Sequence, residues 1–271
     1  MPAAPRALTD AGPARGVVHA DAAPGHVAHR RVTPTDALAE VVAHCWWVEW
    51  DLAAPFVAET LPHPCVHLVF ERSRGTVTGV ATARFERRLT GRGHVFGVKF
   101  RPAGFTALHD TSLAALTDRV TPLPAVLGPA AAALARAIEA APDLAHRVAA
   151  AEAFLVPRAR PLTAAAVELR DLTERLAIDA SLRRVDDLAA LVGVTPRTLE
   201  RRFRALIGVG PKWVIRRYRL HEAAARLGAP AAPSIAAVAA ELGYADQAHF
   251  ARDFKGTVGC APSAYVARFA R

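Results

Sequence analysis

The chain has little cysteine, little lysine and no long apolar run, and each scarcity excludes something. Its three cysteines (Cys45, Cys65 and Cys260) follow no regular spacing, which excludes a disulfide scaffold and points to a reducing compartment. No apolar stretch is both long enough and free of proline to span a bilayer, so a membrane is not an expected partner. The opening segment MPAAPRALTDAGPARG lacks the apolar core of a secretory signal, and the expected location is the cytoplasm. Hydrophobic residues make up 52% against 22% charged, which excludes disordered, collagenous and coiled-coil classes. There is no Walker loop, no Gly-x-Ser-x-Gly elbow and no HExxH pair. The expectation is therefore no enzyme, no cofactor and no resident metal.

Positive charge is present, and it is unevenly placed. The formal net charge is +9, from 34 Lys+Arg against 25 Asp+Glu, with arginine far ahead of lysine. From Ser181 to the end there are 15 basic and 7 acidic residues, whereas the first 180 residues hold 19 and 18. An excess confined to the last third favours a polyanion as partner.

The texture along the chain changes twice. Residues 1–28, rich in Ala, Pro and Gly, read as a disordered arm. Up to about residue 102, the runs HCWWVEWDL, CVHLVFE, TVTGVA and HVFGVKF alternate with Pro and Gly signals, as short antiparallel strands do. After RPAG the segments FTALHD, AALTDRV, GPAAAALARAIEAA and AHRVAAAEAFLV are helical in composition and punctuated by prolines. Residues 162–178 form an amphipathic helix with Thr163 as N-cap and Val167, Leu169, Leu172, Leu176 and Ile178 as its apolar face. The PRARP stretch before it (157–161) reads as a linker. The expected architecture is an α+β domain with a small antiparallel β core over 29–160, followed by an all-α domain over 161–271 that suffices alone for contact with the polyanion.

The basic third repeats itself. LAALVGVTPRTLERRFRALIGVGP (188–211) aligns with VAAELGYADQAHFARDFKGTVGCAP (238–262). Each half has the pattern of a helix-turn-helix. In the first, Val185, Leu188, Ala189 and Val192 line one helix, Gly193 ends it, Thr195 caps the next and Pro196 takes its first position. Leu199 and Phe203, four apart, dock the second helix. Ile235, Val238, Ala239, Leu242, Gly243, Asp246, Phe250 and Phe254 play the same parts in the second half, and residues 212–227 read as one rigid joining helix. With the apolar positions turned inward, Arg197, Glu200, Arg201 and Arg204 face out, as do Gln247, His249 and Arg252. Arg and Gln are side chains that read base edges in the major groove, so double-stranded DNA is the expected partner.

The segment GYADQAHFARDFKGTVGCAPSAY (243–265) resembles the signature of the AraC/XylS family of bacterial transcription regulators, and the likeness covers about residues 163–268. It implies two helix-turn-helix units entering successive major grooves on one face of the duplex. Matched position by position, it assigns base reading to Arg197, Glu200 and Arg201 in the first unit and to Gln247, His249 and Arg252 in the second. Two departures stand out: Val266 follows Tyr265 where the family usually has Arg, and Ala248 replaces a small hydroxyl residue. The segments GVKFRPAGF (97–105) and DRVTPLPAVLG (118–128) resemble a sensor-like domain found ahead of this DNA-binding module in actinobacterial regulators, a likeness that brings no known ligand with it; the two-domain architecture alone leads to the expectation of control by a small-molecule effector, and a homodimer is the other expected partner.

One other constellation bears on function. At a strand's period of two, His63, Cys65, His67 and Glu71 share a face and are competent zinc or iron ligands. The alternative reading is thus a metal-dependent small β-barrel enzyme fused to a DNA-tethering module. A half-buried strand with its polar face toward water or a cavity is the commoner use of such a pattern. Packing is likewise the commoner use of the clustered Trp46, Trp47 and Trp50.

Overall fold

The computed structural model of the chain describes residues 6–12, 17–18, 25–229 and 231–269. The strands are β1 (Val17–Val18), β2 (Gly25–Val32), β3 (Val42–Leu52), β4 (Phe56–Thr60), β5 (His67–Glu71), β6 (Arg74–Thr78), β7 (Phe85–Leu89), β8 (Arg92–Phe100) and β9 (Val120–Pro122). They form a six-stranded sheet in the order β2-β3-β8-β5-β6-β9 and a three-stranded sheet in the order β1-β4-β7. Every pairing is antiparallel.

Alternation along the strands gives the larger sheet two different faces. One face carries Val32, Cys45, Trp47, Leu68, Phe70, Val77, Phe96 and Val98. It is covered by α1 (Leu123–Leu127), α2 (Ala131–Ala140) and α3 (Leu144–Leu155), which bury Leu123, Leu134, Ile138, Val148 and Leu155 against it. On the other face Trp50, Leu52 and Val95 pack with Leu89, Phe56 and Ala58 of the smaller sheet. The four strand runs expected from the sequence are all present. β2, β4 and β7 were not expected, because GHVAHRRV, FVAET and FERRL are charged and show little of the apolar alternation that marks a strand.

The loose arm expected over 1–28 gives way, where residues are described, to an ordered segment. Arg6 pairs with Glu152 at 3.1 Å and donates to the Thr33 carbonyl. Asp10 bridges to Val32, Val17–Val18 pairs with β4, and β2 begins at Gly25. The other residues of that arm lie outside the described residues. The helical reading of 105–120 resolves into short 3-10 turns at Gly104–Ala107 and Leu113–Leu116, with β9 after them.

Helices α4 (Ala164–Leu176), α5 (Val185–Leu191), α6 (Pro196–Leu206), α7 (Pro211–Leu227), α8 (Ile235–Glu241), α9 (Gln247–Val258) and α10 (Pro262–Phe269) complete the chain. Thr163 caps α4 as expected, accepting from the Ala166 N–H at 3.2 Å. Leu169, Leu172 and Leu176 are buried, but Ile178 is 81% exposed because the helix ends before it. α5 and α6 pack with α4 around Leu188, Leu199 and Phe203. α8 and α9 pack around Val238, Phe250 and Phe254. Gly193 and Gly243 leave α5 and α8 at φ +65° and +74°, a region open to glycine and strained for other residues.

The two regions are not independent. Leu61, from the segment after β4, is buried in the cluster of the second helical pair, and Val80 and Ala103 join that of the first. Thr117 Oγ1 donates to the Gly208 carbonyl at 2.7 Å, Arg217 to the Thr82 carbonyl at 2.6 Å, and Arg101 pairs with Glu174 at 2.7 Å. The expectation that residues 160–271 suffice alone is revised accordingly, since a fragment would lack three residues of its own cores. Leu61→Ala, although far from the helices in sequence, is expected to cost about 2–5 kcal/mol, as buried Leu→Ala changes do. Urea unfolding of the full chain checks this, and a loss under ~0.5 kcal/mol would contradict the shared core.

Candidate nucleic-acid interface

Each helical pair builds its outward helix in the same way. α6 starts at a Thr195 cap, whose Oγ1 accepts from the Thr198 N–H at 3.2 Å, with Pro196 at the first turn. α9 starts at an Asp246 cap, whose Oδ1 accepts from the His249 N–H at 2.7 Å. Leu199 and Phe203 fix one face of α6 inward, and Phe250 and Phe254 do so for α9. That rotation leaves Arg197, Arg201 and Arg204 exposed on α6, and Gln247, His249 and Arg252 exposed on α9.

The positive side chains of this region divide into engaged and unengaged. Arg202 reaches back to Glu168 of α4 at 2.9 Å, Arg226 pairs with Glu241, and Arg183 donates to the Glu241 carbonyl at 2.6 Å. The run 216–219 is absorbed by structure. Arg216 lies 3.7 Å from Asp253, Arg217 is buried over the Trp213 ring at 4.6 Å, and Arg219 lies over the Tyr244 ring at 4.2 Å. Burial holds the Arg217 guanidinium down to about 10. The side chains of Arg197, Arg201, Lys212, Arg252 and Lys255 make no hydrogen bond or ion pair among the described residues. The unengaged cations thus lie on α6, on α9 and at the start of the helix between them.

Two of the sequence-predicted readers are occupied within the protein. Glu200 is half-buried, pairs with Arg204 at 2.8 Å and packs against Gly210, where an added Cβ would lie 2.6 Å from its carboxylate. His249 lies edge-on to Tyr244, ring centroids 5.2 Å apart, and 3.8 Å from Asp253. Lys212 was not singled out from the sequence, because it sits in the helix read only as a joint. Its signal was a lone Lys beside Pro211 at a helix start.

The strand-face reading of His63, Cys65, His67 and Glu71 is corrected. β5 begins only at His67, since Pro62 and Pro64 supply no N–H for a ladder. His63 instead packs on His221, ring centroids 4.4 Å apart, Cys65 is buried, and Glu71 is held by Arg87 at 2.6 Å. Among the described residues no group of three His, Cys, Asp or Glu side chains is placed to hold a metal ion. No described helix is long and apolar enough to cross a membrane.

Glu200→Ala would free Arg204 and remove a negative charge from α6. Stability is expected to shift by no more than ~0.5 kcal/mol, the worth of an exposed i,i+4 pair. Affinity for any duplex is expected to rise at low salt, with the slope of log affinity against log salt steeper by about 0.9 per added phosphate contact. Fluorescence anisotropy across a salt series checks this, and an unchanged slope would place Arg204 away from the backbone.

A family model described as a helix-turn-helix domain matches residues 188–268, and one described as a domain of unknown function (DUF6597) matches residues 30–122. No curated protein matches the chain. Three solved structures are similar to it in part or whole. A transcriptional regulator of Chromobacterium violaceum with an AraC-type DNA-binding domain is 25% identical, over 38% of this chain and 93% of that one, at a TM-score of 0.35. A probable AraC family transcriptional regulator of Rhodopseudomonas palustris CGA009 is 28% identical, over 38% and 98%, at 0.35. ToxT of Vibrio cholerae is 11% identical, over 92% and 100%, at 0.42. The helix-turn-helix match falls on the residues that build both helical pairs and ends past the segment 243–265, so this part of the chain is a helix-turn-helix domain.

Proposed function

We propose that α6 and α9 are the recognition helices, that they read two successive major grooves through Arg197, Arg201, Gln247 and Arg252, and that the N-terminal domain governs them in response to a small-molecule effector. The observation that carries the reading is the sorting of charge. Most arginines near the helical pairs are held in internal contacts, while on the outer faces of α6 and α9 Arg197, Arg201 and Arg252 make no hydrogen bond or ion pair among the described residues and Arg204 pairs only with Glu200 beside it. An unpaired Arg on the exposed face of a helix-turn-helix is suited to bidentate contact with guanine. Glu200, Arg204 and His249 flank these readers. The Glu200–Arg204 pair and the Tyr244–His249–Asp253 set hold the two helix surfaces in shape. Lys212 and Lys255 serve as phosphate contacts that set register without reading sequence.

The boundary between regulatory and DNA-binding domains is placed near residue 160. α4 supports this, since Ala166, Leu169, Leu172 and Leu176 pack with Leu188, Leu199 and Phe203. Effector control is supported by the docking of the two domains through Leu61, Val80, Ala103 and Arg217, which gives the N-terminal domain a direct hold on the helical pairs.

The test compares cognate and scrambled duplexes, the cognate taken from a random-oligonucleotide selection with the full chain. Arg197→Ala and Arg201→Ala are expected to lower discrimination by about 1–3 kcal/mol each while leaving the fold intact, because both side chains point away from the core. Lys212→Ala is expected to weaken both duplexes alike and to reduce the salt slope. An unchanged cognate-to-scrambled ratio in folded Arg197→Ala and Arg201→Ala protein would remove α6 as a reader.

A further inference from the structure

The connection between β6 and β7 touches the helical domain with every second residue. Val80 is buried in the core of the first helical pair. The Thr82 carbonyl accepts from Arg217 of α7 at 2.6 Å. Arg84 Nη1 donates at 3.4 Å to the carbonyl of Val258, the last residue of α9. Three alternate residues of one short segment thus reach the first pair, the helix between the pairs and the second pair.

Arg84 is also fixed from its own side. Glu59 on β4 stands directly opposite Glu86 on β7, so two carboxylates share one face of the smaller sheet. Like charges in that position repel unless a cation lies between them. Arg84 supplies the cation, pairing with Glu59 at 3.2 Å and with Glu86. The second oxygen of Glu59 is buried and accepts no hydrogen bond among the described residues, so this carboxylate depends on Arg84. On the helical side the guanidinium fills the space beside Gly259, the residue at φ +92° that ends α9, and an added Cβ there would meet it. A cation in this place lies against the negative end of the helix dipole. β4 ends one residue before Leu61, which is buried in the core of the second pair, so the smaller sheet meets that pair at two points. The first pair is reached from elsewhere, by Val80, Ala103, Thr117 and Arg101.

We propose that Arg84 is a positioning residue for the second recognition helix. Held between Glu59 and Glu86, it caps the C-terminal end of α9 and sets the tilt at which Gln247 and Arg252 meet the base edges. The inference rests on the reading of α6 and α9 as recognition helices, and it gives the N-terminal domain a hold on one of them that the other lacks. The N-terminal end of α9 is fixed within the helical domain, by the Asp246 cap and by the Tyr244–His249–Asp253 set. Its other end is fixed by the smaller sheet. α9 is 12 residues, about 18 Å long, and a rod of that length pivots when one end is released. A shift of the smaller sheet therefore alters discrimination at the half-site read by α9 and spares the one read by α6.

Fluorescence anisotropy of the full chain tests this, with the selected duplex and with duplexes in which either half-site is scrambled. Arg201→Ala and Arg252→Ala first show which half-site each helix reads. Arg84→Gln is expected to lower discrimination at the α9 half-site by about twofold to thirtyfold, and at the α6 half-site by less than about twofold. Adding Glu59→Gln to Arg84→Gln removes the buried carboxylate left unpaired. That double variant is expected to fold as the wild type by circular dichroism and to show the same selective loss. Arg84→Lys, which keeps a cation between the carboxylates, is expected to recover most of the discrimination. Equal loss at both half-sites, a change under about twofold at the α9 half-site in the folded double variant, failure of that variant to fold, or no recovery by Arg84→Lys would each overturn the proposal. If Arg201→Ala and Arg252→Ala act on the same half-site, or on neither, the reading of two recognition helices fails and takes the proposal with it, whatever Arg84 does.

Discussion

The burial of one helix on several sides at once holds this molecule in its working shape. α7 is 17 residues, about 26 Å at ~1.5 Å per residue. Its first half gives Val214 and Ile215 to the core of the first helical pair. Its second half gives Leu220, Ala223, Ala224 and Leu227 to the core of the second. Between these, Arg217 and His221 turn to the N-terminal domain, reaching the Thr82 and Pro62 carbonyls at 2.6 and 3.3 Å. A rigid rod with apolar stripes at both ends fixes the spacing and rotation of α6 and α9. On the proposed reading, two recognition helices held this way would contact two grooves for one ordering cost, met when the protein folds.

The arginines follow from the same arrangement. α7 must be apolar where it meets the helical pairs, and its polar positions point to the gaps between bodies. Arg216, Arg217 and Arg219 fill those gaps by pairing with Asp253, a backbone carbonyl and the Tyr244 ring. Basic residues in this region therefore serve cohesion first. On the outer faces of α6 and α9, Arg197, Arg201 and Arg252 make no hydrogen bond or ion pair among the described residues, which on the proposed reading leaves them for phosphates and base edges, while Arg204 is held by Glu200. On the proposed reading the net charge of the region overstates the DNA surface, and the ion-pair pattern is what picks out its side chains.

Local features were legible in the sequence and non-local ones were not. Gly193, Thr195, Pro196, Gly243 and Asp246 mark helix ends through backbone and capping chemistry that needs no distant partner, and each stands where the sequence put it. Leu199, Phe203, Phe250 and Phe254 fixed the rotation of the two outer helices through helical spacing alone. β2, β4 and β7 escaped because their residues are charged and their stability comes from neighbours elsewhere in the chain. Helical spacing also gave the direction of Glu200 and His249 but not their partners, which lie on the next turn or across a loop. The shared core through Leu61, Val80 and Ala103, and the reach of Arg84 to the end of α9, depend on the placing of segments far apart in sequence.

The account stands on the claim that α7 sets a fixed distance between two reading heads. The direct measurement is affinity of the full chain for its selected duplex after one, two, five or ten base pairs are inserted between the two half-sites. A rigid connector predicts that every insertion, including a full turn of about 10 base pairs that restores the face of the helix, lowers affinity to that of a duplex with one half-site scrambled. Affinity that survives insertion of one or two base pairs, or returns at a full turn, would show the heads to be flexibly joined and would contradict the account.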